Sequence, residues 1–113
     1  GAKTFIATYF PEASCIYAER EREDGHREFE VKLSDGTDIE FHASGEWKKV
    51  DCGYSFLPAG IVPAAIVEDL AVRYPGAKIY KAERERGGYE IKITGGLELI
   101  YSADGTFVRE DRS

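Results

Sequence analysis

The chain has 113 residues, a net charge of −6 and a hydrophobic share of 42%. That length suits one compact domain able to fold without a metal or a disulfide. Acids and bases are interspersed with a negative balance, which excludes a basic nucleic-acid footprint, and no apolar run reaches the ~18 residues of a membrane-spanning helix.

Phe5, Ile6, Tyr9 and Phe10 recur at helical spacing and predict a short helix over Lys3 to Phe10. Pro11 ends it, having no N–H to donate. From 13 to 22 the pattern is extended, with Ile16 and Ala18 on one side and Tyr17 and Glu19 on the other. Asp24-Gly25 reads as a turn. Phe29, Val31 and Leu33 then alternate with Glu28, Glu30 and Lys32 as a half-buried strand. Asp35-Gly36 predicts a two-residue hairpin turn, and the returning strand points Thr37, Ile39 and Phe41 inward and Asp38, Glu40 and His42 outward. Ser44-Gly45 turns again, and 46–50 forms a fourth strand. After a connection at 52–56, Val62, Ile66, Leu70 and Tyr74 fall four apart on a second helix, with Pro63 in its first turn and Pro75-Gly76 as its stop. Four more strands follow, over 79–86, 89–93, 97–101 and 107–108, separated by Gly87-Gly88, Gly95-Gly96 and Asp104-Gly105. Lys81 breaks the alternation and predicts a bulge.

The second set echoes the first. Ala18-Glu19-Arg20-Glu21-Arg22 recurs as Ala82-Glu83-Arg84-Glu85-Arg86, and Phe29-Glu30-Val31-Lys32-Leu33 is matched by Tyr89-Glu90-Ile91-Lys92-Ile93. The expected architecture is therefore a single α+β domain over 1–113 with internal repeats at 3–51 and 61–111. Two tandem α-β4 units would form one eight-stranded antiparallel sheet with both helices on one face and the other face open and concave, a two-layer arrangement. The expected core is Phe5, Ile6, Phe10, Val31, Leu33, Ile39, Phe41, Ile66, Leu70, Tyr74, Ile91, Ile93, Leu99 and Tyr101.

The Phe10-Pro11-Glu12-Ala13 start, the hairpin from Phe29 to Phe41, Ser44-Gly45-Glu46-Trp47-Lys48-Lys49-Val50-Asp51 and Tyr74-Pro75-Gly76-Ala77-Lys78-Ile79 resemble the PepSY-like proteins. The likeness runs through nearly the whole chain. It departs at Gly95-Gly96, where a polar-Gly turn is usual, and at Ile100, where the first half has Glu40. It implies a fold similar to beta-lactamase inhibitor protein. It also implies an exported, periplasmic protein whose signal peptide preceded Gly1, in keeping with the trimmed look of Gly1-Ala2-Lys3. It assigns no catalytic residue and no cofactor.

The residues themselves offer little chemistry. The paired glycines lie between strands rather than before a helix, so they are not a phosphate loop. His26 and His42 are far apart and not in metal spacing, and no metal ligand set is assigned. No serine has a histidine–acid partnership in a recognisable order. Cys15 begins the first strand and Cys52 follows the fourth. Three strand spacings of ~4.8 Å put them about 14 Å apart, beyond the ~7 Å reach of a disulfide, so free thiols are expected. The Glu-Arg-Glu-Arg stretches read as cross-strand charge pairs on an exposed face. What remains is the open sheet face, with Tyr17 and Tyr80 as aromatic anchors among Glu30, Lys32, Glu40, His42, Glu90 and Lys92. Two uses are expected of it: recognition of an envelope protein, in the manner of an inhibitor, or capture of a small ligand or cation in its acidic groove. Neither requires catalysis, and the oligomeric state is left open.

Overall fold

The computed structural model describes residues 2–23, 26–53, 55–85 and 87–112. The expected Asp24-Gly25 turn, Arg86 and the side chains at 21–23, 26, 27 and 112 lie outside the described residues, and with them the reading of His26. The elements run α1 Ala2–Tyr9, β1 Cys15–Glu23, β2 His26–Leu33, β3 Asp38–His42, β4 Trp47–Asp51, α2 Ala64–Arg73, β5 Ile79–Glu85, β6 Gly88–Ile93, β7 Leu97–Ser102 and β8 Phe107–Arg112. All strands join one open antiparallel sheet in sequence order, β1 to β8.

Alternation builds the interior. Val31, Ile39, Val50, Ala82, Ile91 and Leu99 are successive cross-strand partners, and all are buried. Phe41 and Tyr101 lie two residues along from Ile39 and Leu99, so they point to the same side. Phe5 of α1 packs edge-on against Phe41 with centroids 5.5 Å apart, and Asp69 of α2 accepts a 2.7 Å hydrogen bond from the Tyr101 hydroxyl. Both helices therefore cover one face and leave the other bare. Arg73 and Tyr101 hydrogen-bond the Asp69 carboxyl and hold it below the usual range. Eleven of the fourteen expected core residues are buried; Phe5, Ile6 and Tyr74 are only partly so. Trp47, Val50, Cys52, Ile61, Val62, Ile79 and Ala82 complete the core.

The tight turns differ from expectation. Leu33 N donates to Thr37 O at 2.8 Å and Gly36 N to Leu33 O at 3.1 Å, so the loop is the three residues Ser34, Asp35 and Gly36 rather than a two-residue turn. A turn of this kind ends in one left-handed residue, and Gly36 takes it at φ +92°. The same bonding pattern closes the loops at Gly45 and Gly105. Gly105 has a second reason to lack a side chain, since a Cβ there would lie 2.8 Å from the Ala65 Cβ.

The ladders slip at matching steps in the two halves: between Cys15 and Tyr17 and between Ile79 and Lys81, then between Glu40 and Phe41 and between Ile100 and Tyr101. The bulge expected at Lys81 is the second of these. Only three register pairs, Lys49 with Glu83, Val50 with Ala82 and Asp51 with Lys81, join β4 to β5. The Arg84 guanidinium reinforces that seam by donating to the Trp47 carbonyl at 2.8 and 3.1 Å.

Candidate functional site

The bare face is built from two cross-strand rows. One runs Glu19, Glu30, Glu40, Lys49, Glu83, Glu90, Ile100 and Arg109; the other runs Tyr17, Lys32, Asp38, Asp51, Lys81, Lys92, Glu98 and Asp111. Because β-strand side chains alternate, the two rows share one face, and all their members but Ile100 and Tyr17 are charged. Lys49 reaches Glu40 at 3.5 Å, the Tyr17 hydroxyl donates to Glu19, and the Lys32 ammonium lies 6.0 Å from the Tyr17 ring centroid.

The register overturns the reading of the Glu-Arg stretches as cross-strand ion pairs. Glu19 faces Glu30 and Glu83 faces Glu90, while Arg20 and Arg84 point to the helix side opposite Phe29 and Tyr89. Alternation sends the glutamates to one face and the arginines to the other, so these stretches do not pair with each other's kind of charge, and the base that Glu83 does face is Lys49 of β4. The arginines stack on rings instead. Arg20 lies 5.5 Å from the Phe29 centroid and Arg84 lies 4.6 Å from the Trp47 centroid.

Tyr17 and Tyr80 stand far apart in the sheet. They belong to β1 and β5, four spacings or roughly 19 Å apart. Tyr80 is half-buried in the β5 bulge and Tyr17 is largely exposed. Glu30 and Glu40 are direct partners, and Lys32 is the next face residue along β2. Glu90 and Lys92 share β6 with a small hollow of about 170 Å³ that Lys81, Glu83 and Glu98 also line. His42 is exposed at the rim of a wider hollow of about 660 Å³, across from Glu83 and Glu85 of the second half.

Two arrangements escaped the sequence reading. Glu28 alternates onto the polar face, yet it is buried there, with Oε1 2.8 Å from Lys48 Nζ and Oε2 without a hydrogen-bond partner among the described residues. Glu83, Glu85 and Glu90 bring carboxylate oxygens within 4.8 Å of one another. Burial, and then the charges of Glu85, Glu98 and Glu83, push the Glu90 carboxyl above its ordinary range. The alternation of Glu83 and Glu85 was visible in the sequence; the cross-strand step to Glu90 was not. Both cysteines are free thiols, Cys15 exposed and Cys52 buried. Burial, reinforced by Asp35 and Asp51, pushes the Cys52 thiol up to about 12, which makes it inert as a nucleophile at neutral pH.

With this geometry in hand, a model of the family described as "Putative beta-lactamase-inhibitor-like, PepSY-like" matches residues 27–109. The chain belongs to the PepSY-like family. Three solved structures from Bacteroides superpose with TM-score 0.93 each. One, a "putative periplasmic protein of unknown function" from Bacteroides vulgatus, is 32% identical over 97% of this chain and 88% of its own. Another from the same organism, assigned to the DUF2874 family, is 34% identical over 98% and 87%. The third is a "putative calcium-regulated periplasmic protein" from Bacteroides thetaiotaomicron, 32% identical over 98% and 87%. No curated protein matches the chain. The family and these neighbours carry no catalytic assignment. No helix among the described residues is long and apolar enough to cross a membrane.

Proposed function

We propose that this PepSY-like chain is an exported, periplasmic binding protein without catalytic activity, made of two copies of one helix-and-four-strand unit, whose bare sheet face engages another envelope protein. The observation that carries the reading is the uncovered row crossing all eight strands and charged on every one but β7, acidic at Glu19, Glu30 and Glu40 and again at Glu83 and Glu90. Such a surface recognises a partner by charge complementarity and speeds encounter more than it adds raw affinity. The periplasmic descriptions of the neighbours support the compartment, and the inhibitor-like description of the family supports restraint of an envelope enzyme as the outcome. The test is chemical cross-linking in envelope extract with wild-type protein and with Glu30→Lys/Glu40→Lys. A partner captured by the wild type, lost in the variant and weakened by salt supports the reading. A partner captured equally by both refutes the face as the recognition surface.

A second reading is favoured by one specific feature, the Glu83, Glu85 and Glu90 carboxylates. A calcium ion takes 6–8 oxygen ligands, and three carboxylates can supply most of that shell. The mutual repulsion that raises the Glu90 pKa is what a cation would relieve. The calcium-regulated neighbour points the same way. Calcium at a hundred times its Kd would stabilise the fold by about 2.7 kcal/mol. A melting temperature unmoved by calcium, or moved equally in Glu83→Gln/Glu90→Gln, refutes this reading.

A further inference from the structure

On the helix side, away from the charged face, a cavity of about 320 Å³ lies between the 55–62 connection and α2. Its walls are Phe56, Leu57 and Pro58 from the connection, Val67 and Leu70 from α2 and Ile79 from β5. Two of these are among the large apolar side chains the fold leaves exposed, Phe56 and Val67, each at 46%. Their exposed area converges on one concavity, which sets them apart from scattered surface hydrophobics.

The walls are fixed from several directions. Leu57 N donates to Ile79 O at 2.8 Å, so the connection runs beside β5 as a short extra rung. Beyond it, the Tyr9 hydroxyl donates to Gly60 O at 3.3 Å, and a Cβ on Gly60 would meet the Tyr9 ring at 3.3 Å. The cavity is thus formed before any ligand arrives, which spares the ordering cost of building it on binding.

Its charge is as specific as its shape. Among the described residues, Lys78 is the only ionisable one in the lining. Its ammonium stands 5.1 Å from the Phe56 ring centroid and forms no ion pair among the described residues. In a chain with 21 acids and 15 bases, a lysine without an ion pair among the described residues, at the lip of an apolar hollow, is a one-point anion receptor.

We propose that this cavity binds a small monocarboxylate with an aliphatic or aromatic body, the carboxylate on Lys78 and the body against Phe56 and Val67. The two parts account for each other: the apolar walls take the body, and the exposed ammonium at the lip fixes the orientation of a body that would otherwise slide. The site is separate from the charged sheet face and stands or falls independently of the function proposed for that face.

The probes are octanoate, octanol and octylamine, titrated into the full chain and followed by amide shifts in ¹H–¹⁵N spectra. Octanoate should saturate in the millimolar range or below, with shifts centred on 56–60, 67 and 78. Lys78→Gln, an exposed change that leaves the core intact, should weaken octanoate about tenfold, or 1.4 kcal/mol, and leave octanol unchanged. Val67→Trp, which fills the hollow, should abolish both. Octanol or octylamine binding as tightly as octanoate to the wild type would overturn the assignment of Lys78. Shifts confined to the sheet face, no saturation by octanoate, or unweakened binding to Lys78→Gln would overturn the site.

Discussion

The two halves of the sheet follow the same path and fill it differently. In the first, Glu28 sits in register with His42; at the corresponding step of the second, Gly88 sits with Ser102. The bulged residues beside them are Lys48 and Val108. The first half therefore fills its step with a buried carboxylate held by a half-buried ammonium. The second leaves a hollow of about 320 Å³ over Gly88, rimmed by Ile100, Ser102, Val108 and Arg109. Gly88 is more than a vacancy, because a Cβ there would lie 2.1 Å from the Tyr101 carbonyl oxygen. The comparison teaches that backbone geometry and surface chemistry vary independently on this scaffold. One half keeps a closed, charged step and the other keeps an open one.

The helices give the sharpest way to test the asymmetry. The second helix buries Ile66 and Leu70, whereas the first buries no residue fully. Ile66→Ala should cost about 2–5 kcal/mol in urea unfolding, and Ile6→Ala clearly less. Equal costs would mean that the two helices contribute alike. At the plugged step, Lys48→Met strands the Glu28 carboxylate without its cation and should cost about 1–3 kcal/mol. Adding Glu28→Gln should recover most of that loss, while Val108→Lys in the other half should stay within about 0.5 kcal/mol of wild type. A neutral Lys48→Met would break the comparison. At the open step, Gly88→Ala should cost about 1–3 kcal/mol by forcing β6 away from β7, and amide shifts on both strands would report that displacement.

The smallest effect is electrostatic. Glu90 has its pKa raised in the fold, so the folded state holds this proton more tightly than the unfolded chain. Its favourable contribution is complete below the ordinary carboxylate range and is lost as pH rises through the raised value. Glu90→Gln should therefore stabilise the protein at neutral pH by a few tenths of a kcal/mol, since the site is largely solvated and screened. The gain should vanish at low pH. A pH-independent difference between variant and wild type would refute the linkage.

Strand order and helix placement were legible because alternation, helical spacing and glycine turns all pointed one way. Ile39, Leu99, Ile66 and their neighbours are where those periods put them. Val50, Ala82 and Ile79 were missed as core because they cluster around the β4–β5 junction, a pairing no local pattern encodes. The Ser34 to Gly36 loop differs from expectation by one residue, because Asp-Gly suits both the two-residue turn and the left-handed end of a longer one. Charge was the least legible property. Counting Glu and Arg along β1 and β5 says nothing of which residues face each other, and only the register shows that acids meet acids. Glu28 reads as solvent-facing by alternation, yet it is buried.

The β4–β5 junction has one more consequence. Three register pairs join β4 to β5, against eight between β1 and β2, supplemented by the Arg84, Cys52 and Leu57 hydrogen bonds across the same seam. Were that ladder to part, each freed edge would fit the complementary edge of another molecule as well as its own. Trading halves between two chains would then yield an intertwined dimer with every native rung intact. Protein concentration, rather than sequence, would select between the closed monomer and the exchanged pair.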